Sequence, residues 1–342
     1  MSKSYDRSVI VWLLIVCLLV FSMVFIGGVT RLTDSGLSMV DWRPIMGAIP
    51  PLNDTQWHKV FDAYKQFPEY KLINSHFTLE EFKFIFFWEY FHRLMGRLVG
   101  LVFFLPFVYF LIRKKLTGHK FKLLIAFILG GSQGLLGWYM VKSGLLERPD
   151  VSHFRLAAHL GLAFIIIAYL FWIIFDMTIE SKIKMTKSLK KFKWPLYIFL
   201  FLLTFQIVYG AFIAGLDAGI GYNTWPLMGD SVIPRAAYRN GTFIQNMLYN
   251  PATIQFTHRT AGIVLFLFSG ALFLKAKAIS NTQVKRSINW IFYCVIAQFI
   301  LGVATILAKV PVSLGSMHQI MACILFIITI KSVYIISRKT TL

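Results

Sequence analysis

Eight stretches of about 20 mostly apolar residues punctuate the chain, each long enough to cross a hydrocarbon core roughly 30 Å thick as an α-helix. They are Val9–Val29, Leu94–Ile112, Leu123–Val141, Leu156–Phe175, Pro195–Leu216, Ile254–Leu274, Ile288–Leu307 and Met317–Ile336. Soluble chains of 342 residues do not carry 57% hydrophobic residues at a mean hydropathy of +0.65. The fold class is therefore an all-α polytopic membrane protein with eight transmembrane helices.

A net charge of +20 would suit a nucleic-acid binder, but its distribution points elsewhere. Most of the 35 basic residues fall in segments that share one side if the N-terminus is inside: Lys3, Arg7, Arg113–Lys122, Lys182–Lys193, Lys275–Arg286, Lys331, Arg338 and Lys339. Of the 15 acids, that side holds Asp6, Asp176 and Glu180. This positive-inside pattern places both termini in the cytoplasm and removes the nucleic-acid reading. Lys3 and Arg7 resemble a signal-peptide n-region, yet the first apolar run is too long for an h-region and no small-x-small site follows it. A mitochondrial presequence has no room before it, so a bacterial plasma membrane is the expected address. Cys17, Cys294 and Cys323 lie inside apolar runs without CxxC spacing and read as buried small hydrophobes.

The chain also repeats itself. Asp34-Ser-Gly36 precedes Trp42-Arg-Pro44-Ile-Met46-Gly47, and Asp217-Ala-Gly219 precedes Trp225-Pro226-Leu-Met228-Gly229, with the same Asp-to-Trp interval. His92-Arg93-x-x-Gly96 matches His258-Arg259-x-x-Gly262. Gln133-x-x-x-Gly137 matches Gln298-x-x-x-Gly302, and His159 matches His318. Four matches in one order define two units of four spans, 1–181 and 194–342, joined by a solvated basic linker, 182–193. An even number of spans returns the chain to its starting side, so the units are parallel, as two four-helix bundles. Both histidine pairs then lie near the outer face. In the long loop after the first span, Asn53 caps a short helix through Tyr64. The capping-box pair Thr78 and Glu81 starts a helix that continues into the second span.

His58, His76 and His119 lie in polar loops and read as solvated, and His153 is left open. The other four histidines occupy equivalent places at the outer edge of spans two, four, six and eight. Zinc usually takes four ligands including Cys or carboxylate, whereas heme iron needs two axial ligands and suits pockets between bundle helices. Arg93, Arg97 and Arg259, beside these histidines, are candidates to pair with heme propionates. Gly96, Gly134, Gly137, Gly262 and Gly302 leave space for a flat macrocycle. Three residues before the histidine, the first unit has Glu89 and the second Gln255. A carboxylate can move a proton and an amide cannot, so the first unit is the candidate reaction site. Packing histidines and a Glu89–Arg93 ion pair are the plainer alternatives.

Gly28-Val-Thr-Arg31-Leu-Thr, Asp41-Trp42-Arg-Pro44, Glu89-x-x-His92-Arg93, His159, Asn223-Thr-Trp225-Pro226-Leu-Met-Gly229, His258-Arg259 and His318, taken in order over nearly the whole chain, resemble the heme A synthase family. The resemblance implies an oxidoreductase that converts the C8 methyl of heme O to the formyl of heme A for cytochrome oxidase. It further implies that His258 and His318 ligate a resident heme b, that His92 and His159 hold the substrate heme, and that Glu89 acts in the reaction. Heme O synthase and cytochrome oxidase assembly are the implied partners, and a homo-oligomer stays open. The first outer loop lacks the cysteine pair of some bacterial members, as in the mitochondrial and proteobacterial branch, so no thiol relay is expected. Two rivals remain: a bis-histidine cytochrome exchanging electrons with quinone, and a transporter using the repeat for alternating access, which would put polar residues at the midplane instead.

Overall fold

The computed structural model describes residues 6–39, 49–116, 118–142, 150–179, 186–239 and 241–337. The Asp41–Gly47 motif and Lys182 lie outside the described residues. Among those described, eight helices are long and apolar enough to cross a membrane: α1 (Arg7–Leu32), α4 (Leu79–Ile112), α5 (Lys120–Lys142), α6 (His153–Thr178), α8 (Lys193–Gly215), α11 (Pro251–Ala276), α12 (Thr282–Leu307) and α13 (Val312–Ser337). Each covers one predicted apolar run, extended at most ends by polar residues that cap the helix or reach toward water. Five short helices lie between them: α2 (Asp54–Tyr64), α3 (Pro68–Leu72), α7 (Lys187–Lys190), α9 (Ala218–Gly221) and α10 (Phe243–Tyr249).

Local chemistry sets the boundaries that matter for the site. The Asn53 side chain accepts from Gln56 N and caps α2 as expected. Thr78 and Glu81 form the anticipated capping box on α4, a device in which the cap residue is typically worth about 1 kcal/mol. At 34 residues, α4 is about 51 Å long. That exceeds what a hydrocarbon core roughly 30 Å thick requires, and Glu89 and His92 share this one continuous helix. Asn250 caps α11 by accepting from Ala252 N and Thr253 N, with Pro251 in the first turn, where its missing N–H costs nothing.

Packing relations close into two rings. Helix α1 lies against α4 and α6, and α5 against α4 and α6; α8 lies against α11 and α13, and α12 against α11 and α13. Contacts of α6 with α8, of α1 with α13 and of α6 with α13 join the rings. The central four helices, α1, α6, α8 and α13, bury more of their length than the outer four. One apolar core, including Leu13, Val16, Leu123, Ile167, Leu170, Leu196, Phe199, Ile288 and Tyr334, fills the half of the helices nearest the chain termini. Cys17, Cys294 and Cys323 are free and buried, as their surroundings predict. The other half carries the four histidines alongside a smaller apolar cluster of Ala157, Tyr209, Ala211, Phe212 and Ile254.

At the rim of that half, Asp34 and Asp217 both adopt φ 48°, a left-handed conformation that Asp tolerates. Arg31, at the end of α1, bonds Asp34 through one nitrogen and Asp217 through the other at 2.9 Å. The two repeat landmarks are thus clasped by one guanidinium across the seam.

Two loop readings change. His58 and His76 are exposed, but His119 is buried, because the neighbouring Leu116 and Leu123 enter the core and draw the turn with them. Within the linker, α7 and the residues after it put Leu189 and Phe192 into the same core, so that stretch is not solvated throughout.

Candidate active site: two histidine pairs in one setting

Helix α4 presents Glu89 and His92 one turn apart, on one face. Glu89 is buried, at 2% exposure. Its Oε2 accepts from Ser38 Oγ at 2.7 Å and from the Met39 amide at 2.6 Å, and its Oε1 accepts from Arg93 at 2.5 Å. Arg93 also donates to the Met39 carbonyl at 3.0 Å. The ion pair foreseen as the plainer alternative is present, and the loop after α1 completes it. Ser38 and Met39 were not anticipated as partners, because nothing in local sequence says that this loop folds back onto α4. Arg97, one turn beyond Arg93, is half-buried.

His92 packs against the bare face of α1: a Cβ on Gly27 would stand 3.4 Å from His92 Nε2. His159, near the start of α6, lies over Gly137 of α5, where a Cβ would stand 3.0 Å from Cε1. Gln133, one turn before Gly137, holds its Nε2 3.1 Å from the His159 carbonyl and 3.3 Å from His159 Nε2. The His92 and His159 rings are close enough to interact electrostatically.

The second ring of helices repeats this arrangement. His258 of α11 packs on α8 at Gly210, with 3.4 Å from a built Cβ to Cε1, and His318 of α13 lies over Gly302 of α12, at 2.9 Å. Gln298 Nε2 lies 3.1 Å from His318 Nε2, while Gln206 Nε2 donates to the His258 carbonyl at 3.0 Å. His258 and His318 again interact electrostatically. Gly27 and Gly210 escaped notice in the sequence, although both lie seven residues before the repeat's Asp landmarks. Of the glycines expected to make room for a macrocycle, Gly137 and Gly302 instead receive the imidazoles. Gly96 faces Met23, Gly262 faces Gln206, and Gly134 is open.

Where the first pair has Glu89, the second has Gln255, fully buried and donating to the Tyr222 carbonyl at 3.0 Å. Arg259 donates to the carbonyls of Thr224, Leu227 and Tyr222 at 2.8, 3.3 and 2.7 Å. The loop it holds is braced by Asn223, which donates to Gly219 and Ile306 carbonyls, and by Thr224. Arg93 and Arg259 are therefore both engaged with loops over their own sites. His153, left open above, is buried at the seam, its Nε2 2.9 Å from the Leu248 carbonyl.

Buried polar atoms without partners are costly and rare, yet here they gather at these two places. Nδ1 of His159, His258 and His318 and Oε1 of Gln133, Gln206, Gln255 and Gln298 are buried with no hydrogen-bond partner among the described residues. Among those residues no three His, Cys, Asp or Glu side chains converge as a metal-binding set. Paired imidazoles with unpartnered ring nitrogens, set among unpartnered amide oxygens, would suit heme iron, which takes two such ligands.

The family model for COX15-CtaA, described as cytochrome oxidase assembly protein, matches residues 10–330. A Heme A synthase from Flavobacterium johnsoniae is 46% identical over 329 residues, covering 94% of this chain and 95% of its own. Those of Flavobacterium psychrophilum and Nitrosospira multiformis are 44% and 43% identical, covering 97% and 94% of this chain and 99% and 91% of their own. The chain belongs to the heme A synthase family.

In heme A synthase terms, the motifs that carry the likeness surround the two histidine pairs. The Gly28–Arg31 stretch ends α1 beside His92, and the Asn223–Gly229 loop is the one Arg259 holds over the second pair. Its first-unit counterpart, Asp41–Gly47, lies outside the described residues.

Proposed function

We propose that this chain is a membrane oxidoreductase that converts the C8 methyl group of heme O to the formyl group of heme A, with a resident heme b in its second unit. Residues 1–181 would form the reacting unit and 194–342 the electron-handling unit, a division supported by the two rings of helix contacts and the repeated surroundings of the histidines. In this reading the chain sits in a bacterial plasma membrane with both termini cytoplasmic and both sites near the outer face. Heme O is its substrate, and cytochrome oxidase assembly is the process it serves.

The observation that carries the reading is the doubled setting of imidazole, glycine and glutamine, with Glu89 in the first unit where the second has Gln255. His258 and His318 would hold the resident heme, which supplies a one-electron redox centre when bound. His92 and His159 would hold the substrate. Oxidising a methyl to a formyl group releases protons as well as electrons, and in this reading Glu89 takes a proton at Oε1 or Oε2. Ser38, Met39 and Arg93 hold its two oxygens in place. Gln255 has no such capacity, consistent with a second site that passes electrons on. The large apolar core lies between the sites and the chain termini.

Membranes from cells making this chain together with heme O should yield heme A on pigment extraction and mass analysis. Heme bound in both units with no formylated porphyrin would instead identify an electron-carrying bis-histidine cytochrome.

A further inference from the structure

Gln319 follows His318 on α13, but its side chain leaves the second histidine pair and crosses to α1. Its Nε2 donates to the Val24 carbonyl at 3.0 Å. The approach depends on Gly28, where a Cβ would stand 2.3 Å from Gln319 Oε1. The next residue back, Gly27, is the surface on which His92 packs. One hydrogen bond and a short run of chain thus connect a histidine of the second pair to a histidine of the first.

The opposite seam provides an internal comparison. In the register that equates Asp34 with Asp217 and His159 with His318, Leu160 stands where Gln319 does and Ala211 where Gly28 does. Leu160 packs in an apolar cluster with Tyr209, Ala211 and Phe212. The α6–α8 seam is therefore apolar where the α1–α13 seam is polar. Polar side chains between membrane helices are uncommon and tend to mark function or specific association. Here the placement is directional, from the second site to the first.

We propose that Gln319 is a positioning residue that couples the two histidine sites. By locking α13 to α1 it makes a shift of His318 and a shift of His92 dependent on each other. Coupling of this kind is reciprocal and needs an element whose arrangement both sites bias; the Val24–Gly28 turn of α1 is that element. The inference rests on the reading of these histidines as heme ligands.

The full chain, purified with its resident heme, tests it. The electron paramagnetic resonance g-values of the resident ferric heme are recorded before and after heme O is added. In the unaltered chain, heme O shifts the resident signal. Gln319→Leu keeps the unliganded signal, because no ligand is removed, and loses the response. Gly28→Ala, which pushes the amide away from Val24 without touching Gln319, gives the same loss. Should Gln319→Leu fail to fold, Gln319→Met takes its place. A response in these variants equal to that of the unaltered chain, or no response in the unaltered chain, overturns the coupling. A resident signal that His318→Met leaves unchanged would instead overturn the ligand reading beneath it.

Discussion

Gly302 on α12 yields its side-chain space to His318 on α13, whose Cε1 lies 2.9 Å from where a Cβ would stand. Real Cβ contacts are almost never that short, so Gly302→Ala must move the imidazole. We expect a several-fold fall in resident heme per chain, read from the pigment-to-protein ratio. Gly137→Ala, at 3.0 Å from His159 Cε1, should retain that heme and lower heme A output instead. Identical effects of the two changes on resident heme would contradict the assignment of one heme to each unit.

Glu89 receives three donors, and Glu89→Gln keeps its shape while removing its capacity to carry a proton. The Gln side chain also brings an N–H toward donors already in place. Resident heme should remain while heme A falls by about 100-fold or more, in line with loss of a general base. Normal heme A output from this variant would exclude the residue from the chemistry.

His258→Met and His318→Met should each change the spectrum of the resident heme, because thioether ligation alters the iron's ligand field and raises its potential. The corresponding changes at His92 and His159 should spare that spectrum and abolish product. Optical and resonance spectra of purified protein distinguish these outcomes.

The segment that carries α2 and α3 has a pH dependence of its own. Glu69 of α3 is buried and accepts from Tyr64 Oη of α2 at 3.0 Å, while Asn74 donates to that same tyrosine oxygen at 2.9 Å. Burial pushes its carboxyl up from 4.5 to about 8, outweighing the lowering effect of the tyrosine. In that window the folded segment keeps a proton that the unfolded chain has released. Stability of the segment therefore falls as pH rises from 4.5 to 8 and levels off above. Glu69→Gln should flatten this slope, as followed by limited proteolysis of the 54–78 segment across that range.

Much of the site was legible in one dimension. Capping signals at Asn53 and Thr78 act over three or four residues, so α2 and the start of α4 could be read directly. The repeat singled out four of the eight histidines, and the Glu89–Gln255 difference was visible as soon as the copies were aligned. His119 was misjudged because its polar neighbours gave no sign that Leu116 and Leu123 would carry it inward. Arg259 gave no sign in the sequence of the three backbone carbonyls that its guanidinium also holds.

The sequence alone determined the eight spans and pointed to a doubled unit and four histidines, since apolar length and repetition are properties of order along the chain. Tertiary structure alone decided who meets whom across helices. Ser38 and Met39 hold Glu89, glycines on neighbouring helices receive the imidazoles, and Gln319 reaches α1. Those pairings join residues far apart in the chain, and they are fixed by how whole helices pack rather than by any local preference.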